Sequence, residues 1–199
     1  MHFIFLTRCY TPVNLNTIKQ NIKETFDGTE HTYEHLIVVD LSKVKDENEC
    51  QKYIDCADEK TTVHFVDNKS ENDSQNTYGM NQALATVTND GYVYVLDDDN
   101  LLHKYFLNIC KDCKGEDAIV FKIIGRPDLG NPCTMHILKR IDWANFITKI
   151  DVMKRLGIEP DGRNEDAHFF TRMSQNHCSI KFVNKMIAYY NALPRRMEN

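Results

Sequence analysis

Three consecutive carboxylates, Asp97-Asp98-Asp99, follow the run Tyr92-Val93-Tyr94-Val95-Leu96, in which every residue is apolar or aromatic. Such a run reads as a buried strand, and three acids at its end pose a problem of charge. Carboxylates a few ångströms apart resist joint ionisation unless a cation neutralises them. Open parallel sheets bind their ligands beyond the carboxyl ends of the strands. The triplet therefore points to a hard divalent ion, Mg2+ or Mn2+, held by oxygen ligands and shared with substrate phosphates. Two plainer readings compete. Asp99 or Asn100 caps a helix beginning at Leu101, or the triplet is a solvated acidic turn. An EF-hand loop is excluded, because the glycine at its sixth position and the glutamate at its twelfth are missing.

The acids make a site only if the fold carries them to an edge, and the flanking pattern supplies one. Short apolar runs predict strands over residues 3–6, 35–39, 63–66, 92–96 and 118–124. Helices are predicted between them. The first covers 14–26, where Leu15, Ile18, Ile22 and Phe26 recur at helical spacing, and others lie within 42–59, over 78–87 and over 101–110. The polar stretch 67–77 and the turn-rich stretch 125–132 read as loops. Beyond them the pattern gives a strand over 142–147, helices over 152–156 and 165–173, and strands over 179–183 and 186–190. Alternating strands and helices argue for an α/β fold: a mainly parallel sheet with helices on both faces.

Bulk properties agree with one such domain. A chain of 199 residues buries about 70 % of its unfolded surface, enough for a core without staples. The net charge of -5 argues against a nucleic-acid partner, which calls for a basic face. No stretch approaches the roughly 20 apolar residues of a membrane span, and residues 2–6 are too short for a signal peptide core. A soluble, cytoplasmic protein is expected. The seven cysteines are odd in number and scattered, which fits a reducing compartment. The pair Cys110 and Cys113 has C-x-x-C spacing but no second pair to complete a zinc site, and reads as ordinary thiols.

Taken together, these residues resemble a known family. Tyr94-Val95-Leu96-Asp97-Asp98-Asp99 is similar to the D-x-D motif of GT-A-fold glycosyltransferases. Phe5-Leu6-Thr7-Arg8 with Pro12 resembles that family's first strand and nucleotide-binding turn, and Val38-Val39-Asp40 its second strand. Asn81-Gln82-Ala83-Leu84 lies on the helix before the D-x-D strand, where the family often has an N-x-A-like pattern. Ile141-Asp142-Trp143-Ala144-Asn145-Phe146 resembles the D-x-x-N-F segment of the acceptor side. Asn164-Glu165-Asp166-Ala167-His168-Phe169-Phe170 resembles the E-D motif that opens the catalytic helix. The resemblance runs from about residue 2 to 191, and is nearest to compact family-2-like transferases and to the small transferases that large algal DNA viruses carry for capsid glycans.

The resemblance implies a GT-A, Rossmann-like fold in a single domain over 1–199, with a nucleotide-sugar half over 1–100 and an acceptor-binding and catalytic half over 101–199. It implies a metal-dependent transferase, using Mn2+ or Mg2+, that moves a sugar from a nucleotide-sugar, with UDP favoured, to a hydroxyl of a glycan or glycoprotein acceptor. Asp99 would ligate the metal directly and Asp97 second, Asp97 also reaching the ribose. Asp98 would turn away and support the turn. Thr7, Arg8 and Asp40 would line the nucleoside pocket, with Asp40 accepting the N3–H of uracil. Asp166 would be the base that deprotonates the acceptor in an inverting transfer, with Glu165 orienting the acceptor. In a retaining transfer Asp166 becomes a positioning group. N-capping of the helix is the plain alternative for both acids.

Three further residues carry open alternatives: Trp143 as acceptor floor or core, His168 as an added ligand or a structural residue, and Arg126 as a phosphate partner or an exposed side chain. Rival functions use the same sheet edge. A haloacid-dehalogenase-type phosphatase wants its acids near the N-terminus. A nucleotidyltransferase wants a glycine-rich loop after the first strand, where Thr7-Arg8-Cys9-Tyr10 stands. A non-catalytic nucleotide-sugar-binding module would keep the sheet and lose the metal or the base.

Overall fold

A computed structural model of the chain describes residues 1–67, 77–111, 115–125, 141–160 and 164–194. The elements run β1 (His2–Cys9), α1 (Leu15–Phe26), β2 (Thr32–Asp40), α2 (Glu47–Ile54), β3 (Thr61–Val66), α3 (Thr77–Thr86) and β4 (Tyr92–Val95). They continue with β5 (Leu101–Leu102), α4 (Phe106–Cys110), β6 (Ala118–Ile124), β7 (Phe146–Lys149), α5 (Ile150–Leu156), α6 (Glu165–Gln175) and β8 (Ile180–Tyr189).

The eight strands form one mixed sheet in the order β3-β2-β1-β4-β7-β6-β8-β5. β3, β2, β1 and β4 run parallel, β7 is antiparallel to both of its neighbours, and β6 pairs parallel with β8. β1 is flanked by β2 on one side and β4 on the other, so the winding direction reverses there. That reversal opens a crevice beyond the carboxyl ends of β1 and β4.

Alternation along β1 and β4 assigns each face its helices. Phe3 and Phe5 with Tyr92, Tyr94 and Leu96 pack against Ile18, Ile22 and Phe26 of α1 and Phe106 of α4. Ile4 and Leu6 with Val93 and Val95 face the other way, onto Met80 and Leu84 of α3, Met153 of α5, and Phe169 and Phe170 of α6. Trp143 belongs to this second core. It is 2 % exposed, with its ring 5.4 Å from Phe146 and 5.3 Å from Phe169, so the core alternative is the one realised.

Three local expectations change. Residues 101–110 do not form one helix. Leu101 and Leu102 pair with Tyr189 and Ala188, and the Leu102 amide donates to Asn21 Oδ1 at 2.7 Å, so tertiary pairing overrides helical propensity. The cap reading of Asp99 and Asn100 falls with that helix. The strand expected over 142–147 starts late, because Asp142 and Asn145 form a capping box around a 3-10 turn at Trp143–Asn145. The two C-terminal strands are one. Val120 pairs with Phe182 and Lys122 with Met186, so the register shift falls where the exposed Asn184 and Lys185 interrupt the apolar pattern.

No helix among the described residues is long and apolar enough to cross a membrane. Cys110 is buried at the end of α4, while Cys113, Arg126 and most of the two predicted loops lie outside the described residues.

Candidate active site

Leu6 pairs with Val95, and the Leu96 amide donates to the Leu6 carbonyl at 3.0 Å. Two residues further on, this register sets Arg8 opposite Asp97 across the β1–β4 seam, both on the α3–α6 face. The guanidinium closes on the carboxylate with two bonds, Nε to Oδ1 at 2.7 Å and Nη2 to Oδ2 at 2.6 Å. The side chains keep only 9 % and 18 % of their exposure, so water screens the pair little.

Asp98 points the other way. Its Oδ2 accepts the Tyr10 amide at 2.7 Å and the Thr11 amide at 3.1 Å. Its own carbonyl accepts from Asn14 Nδ2 at 2.8 Å, and the same amide group reaches the Pro194 carbonyl at 2.9 Å. Burial lifts the Asp98 carboxyl to about 6, with Asp97 and Asp99 adding to the rise and the two amides opposing it. Through these two amides the Asp98 side chain holds the turn after β1.

Asp99 is 2 % exposed, and its carbonyl accepts the Leu193 amide at 3.0 Å. Asn100 closes the turn through its amide to the Asp97 carbonyl at 3.0 Å, while its Oδ1 accepts the Asn191 amide at 2.8 Å. The segment after β8 thus packs on the acidic turn from outside.

Glu165 and Asp166 stand in the first turn of α6, on the same face of the sheet as Arg8 and Asp97. Asp166 Oδ1 accepts the Ala167 amide at 2.7 Å. Burial pushes its carboxyl up to about 7. The charges of Asp142 and Glu165 add to the rise, while the Ala167 amide and Arg8 oppose it. Tyr10 bridges the two acid groups electrostatically. Its phenol is pushed up to about 12 by burial, against the pull of Arg8 and with the push of Asp97, Asp98 and Glu165. The structure therefore gathers Arg8, Asp97, Asp98, Glu165 and Asp166 in one neighbourhood, and adds Tyr10 and Asp142.

Those two additions carried weak signals in the sequence. Tyr10 follows the first strand closely, and Asp142 opens the D-x-x-N-F segment, but neither spacing shows which charges they meet. Asp40 ends β2, on the far side of β1 from β4, and its Oδ1 accepts the Ser42 amide at 2.9 Å. His168 lies exposed on α6.

Thr7 requires a correction. It is fully buried, and its hydroxyl donates to the Leu96 carbonyl at 2.7 Å while meeting His35 Nε2 at 2.9 Å. With the single hydroxyl proton so placed, His35 Nε2 is the donor to Thr7. Burial and the charge of Lys19 hold that imidazole down to about 3, so it stays neutral. The Thr7 side chain ties β1, β2 and β4 together, and its hydroxyl offers no group to a nucleoside.

Among the described residues, no three His, Cys, Asp or Glu side chains converge as a complete metal cage. The donor set nonetheless suits Mg2+ or Mn2+, because such ions take one or two protein carboxylates and complete their shell with phosphate and water. Asp97 and Asp99 carry hard oxygens of that kind, with both oxygens of Asp97 bonded to Arg8 and Asp99 buried.

A sheet reversing at β1 and β4, with an acidic turn at the reversal and an acid-headed helix on the same face, defines a class, and solved structures place it: the chain has the GT-A fold of nucleotide-sugar glycosyltransferases. It is similar to TarS 1-349 of S. aureus in complex with UDP-GlcNAc, with a TM-score of 0.69 at 17 % identity over 100 % of this chain and 60 % of that one. It is similar to a mannosyltransferase from Pyrobaculum calidifontis in complex with GDP-Man and Mn2+, with a TM-score of 0.63 at 16 % identity over 98 % and 57 % of the two chains. A third likeness is to glucosyl-3-phosphoglycerate synthase from Mycobacterium tuberculosis in complex with Mn2+, UDP and glucosyl-3-phosphoglycerate, with a TM-score of 0.63 at 14 % identity over 99 % and 73 %. The chain spans about three-fifths of the TarS fragment and of the mannosyltransferase. No known family profile and no curated protein matches the sequence. The likeness to viral transferases gains no support from these structures.

Proposed function

We propose that the chain is a glycosyltransferase that moves a sugar from a nucleoside-diphosphate sugar, with UDP as the nucleotide, to a hydroxyl of a glycan or glycoprotein acceptor, with Mn2+ or Mg2+ at the Asp97–Asp99 turn. The observation that carries this reading is that Asp97 of the triplet and Asp166 share one face of the sheet, with Arg8 paired to the first and acting on the second, whose carboxyl is raised to about 7. The UDP-GlcNAc and GDP-Man named for two of the similar structures, and the UDP named for the third, support a nucleotide-sugar in the crevice.

A divalent ion held there supplies charge to stabilise the departing nucleoside diphosphate. Asp99 and Asp97 would hold that ion. Asp40, at the end of β2, would face the base, and its second carboxylate oxygen remains for the uracil N3–H beside the one that takes the Ser42 amide. Asp98 keeps the Tyr10–Thr11 turn in place. Asp166 takes the acceptor's proton at its carboxylate, and a carboxyl near 7 is poised for that task at neutral pH. Glu165, 3 % exposed beside it, orients the acceptor and helps hold the Asp166 carboxyl up.

The test is hydrolysis of a panel of UDP- and GDP-sugars with Mn2+ or Mg2+, which needs no acceptor. Metal-dependent release of UDP that disappears in Asp99→Ala supports the reading. Absence of turnover and of UDP binding under either metal defeats it. UDP binding that is indifferent to metal and to Asp99 favours the non-catalytic module.

A further inference from the structure

Both oxygens of Asp97 are taken by Arg8, one by Nε at 2.7 Å and one by Nη2 at 2.6 Å, in a setting that water screens little. A fork-on-carboxylate pair is geometrically exclusive. A divalent cation added to the same oxygens would stand a few ångströms from the guanidinium, as a like charge in a poorly screened place. Yet Asp97 lies at the carboxyl edge, in the turn that presents the acids to the crevice. Arg8 itself is anchored at the end of β1, the other lip of that crevice. Its guanidinium also interacts with the charges of Asp142 and Asp166, which lie on the acceptor side. Released from Asp97, it stays within an acidic surround and beside the place where a diphosphate arrives. A guanidinium pairs with phosphate oxygens as readily as with a carboxylate.

We infer that Arg8 is an exchange counterion: it neutralises Asp97 while the crevice holds no donor, and passes to the donor's diphosphate as the divalent cation takes Asp97. This rests on the nucleotide-sugar reading of the site. Cation and nucleotide then bind cooperatively, because each removes an obstacle to the other. The cation alone must displace Arg8 from Asp97 with no incoming anion to receive it. With the nucleotide present the guanidinium exchanges one anion for another, and Asp97 becomes a ligand at little electrostatic cost. The coupling is a free energy shared by the two ligands, so it must appear equally from either side. Arg8 is on this account a positioning residue, and its removal has opposite effects on the two binding events. The cation alone gains, because its competitor is gone. The advantage that nucleotide confers on the cation shrinks, because nothing remains to be exchanged.

The experiment measures Mn2+ affinity of the full chain from the electron paramagnetic resonance signal of free Mn2+, with and without UDP, in wild type, Arg8→Gln, Arg8→Lys and Asp97→Asn. In wild type, UDP should tighten Mn2+ about tenfold or more. In Arg8→Gln, Mn2+ alone should bind about tenfold tighter than in wild type, and UDP should add less than about threefold. Arg8→Lys keeps the charge without the fork, and should show a smaller gain for Mn2+ alone. It serves if the glutamine variant fails to fold, which a thermal melt reveals. Asp97→Asn removes the ligand that is exchanged and should lose the UDP effect. A folded Arg8→Gln, or Arg8→Lys in its place, that binds Mn2+ alone no tighter than wild type and keeps the full UDP effect overturns the exchange while leaving the donor site intact. Failure of wild type to bind Mn2+ even with UDP overturns the nucleotide-sugar reading itself, and the exchange with it.

Discussion

Asp166, in the first turn of α6, and Asp142, the cap of the 3-10 turn before β7, act on each other as like charges: after burial, Asp142 is the largest cause of the rise that takes the Asp166 carboxyl to about 7. If Asp166 is the base, kcat/KM should fall as pH drops through about 7, because the protonated carboxyl cannot accept the acceptor's proton. Asp142→Asn removes the repelling charge and keeps a cap, since asparagine serves that position as well as aspartate. The acid limb of the pH–rate profile should then move to lower pH. An unmoved limb in a folded variant would show that some other group sets it.

Asp166→Asn isolates the base from its surroundings. UDP binding with Mn2+ should persist, while transfer falls by about a hundredfold or more, the usual worth of a positioned general base. Stability supplies a second readout. The folded carboxyl sits at about 7 against an ordinary 3.8, so between those values the folded state binds more protons than the unfolded one. Stability from this group therefore declines as pH rises across that window, and is not regained above it. Thermal melts at about pH 5 and about pH 7.5 should show a smaller decline in the asparagine variant than in wild type. Wild-type transfer in Asp166→Asn would remove the residue from the mechanism.

Asp98 is the member of the triplet whose loss should be felt in folding before catalysis. Asp98→Ala strips the Tyr10 and Thr11 amides of their acceptor in a buried turn, and an unsatisfied buried donor costs about 1–3 kcal/mol. Asp98→Asn keeps an acceptor oxygen and should lose less. Urea unfolding gives the comparison directly. Equal stability of wild type and Asp98→Ala would mean that the amides find other partners. Asp99→Ala is the contrast expected to end metal-dependent turnover.

The acidic turn was legible because its signal is local: an unbroken apolar strand and the acids at its end are adjacent in the chain. Helix 14–26 was legible for the same reason, its four apolar residues recurring on one face. The partner of Asp97 was not legible. Arg8 lies 89 positions away, and the two meet only because β1 and β4 are neighbours, a choice made by the whole sheet. Residues 101–102 show the same limit, since pairing with β8 decides their state. Asn184 and Lys185 look like a break between strands, and a polar pair does not announce that a register shift absorbs it. Thr7 misled in another way. A hydroxyl at the end of a first strand suits a nucleoside pocket and an internal tie equally well, and the neutral His35 that selects the second is 28 residues off.

Thr7→Val tests that assignment, because valine copies the shape of threonine and removes only the hydroxyl. Two buried groups lose their partner at once: the Leu96 carbonyl its donor, and His35 Nε2 its acceptor. Each unsatisfied group costs about 1–3 kcal/mol, so the variant should be clearly less stable in urea. The imidazole cannot escape by protonation, since burial already holds it down to about 3 and a second N–H would add a further donor to satisfy. UDP affinity of the folded variant should stay near that of wild type, because no surface of the Thr7 side chain reaches the crevice. The opposite pattern, unchanged stability with weakened UDP binding, would return Thr7 to the nucleoside pocket and place the tie between β1, β2 and β4 elsewhere.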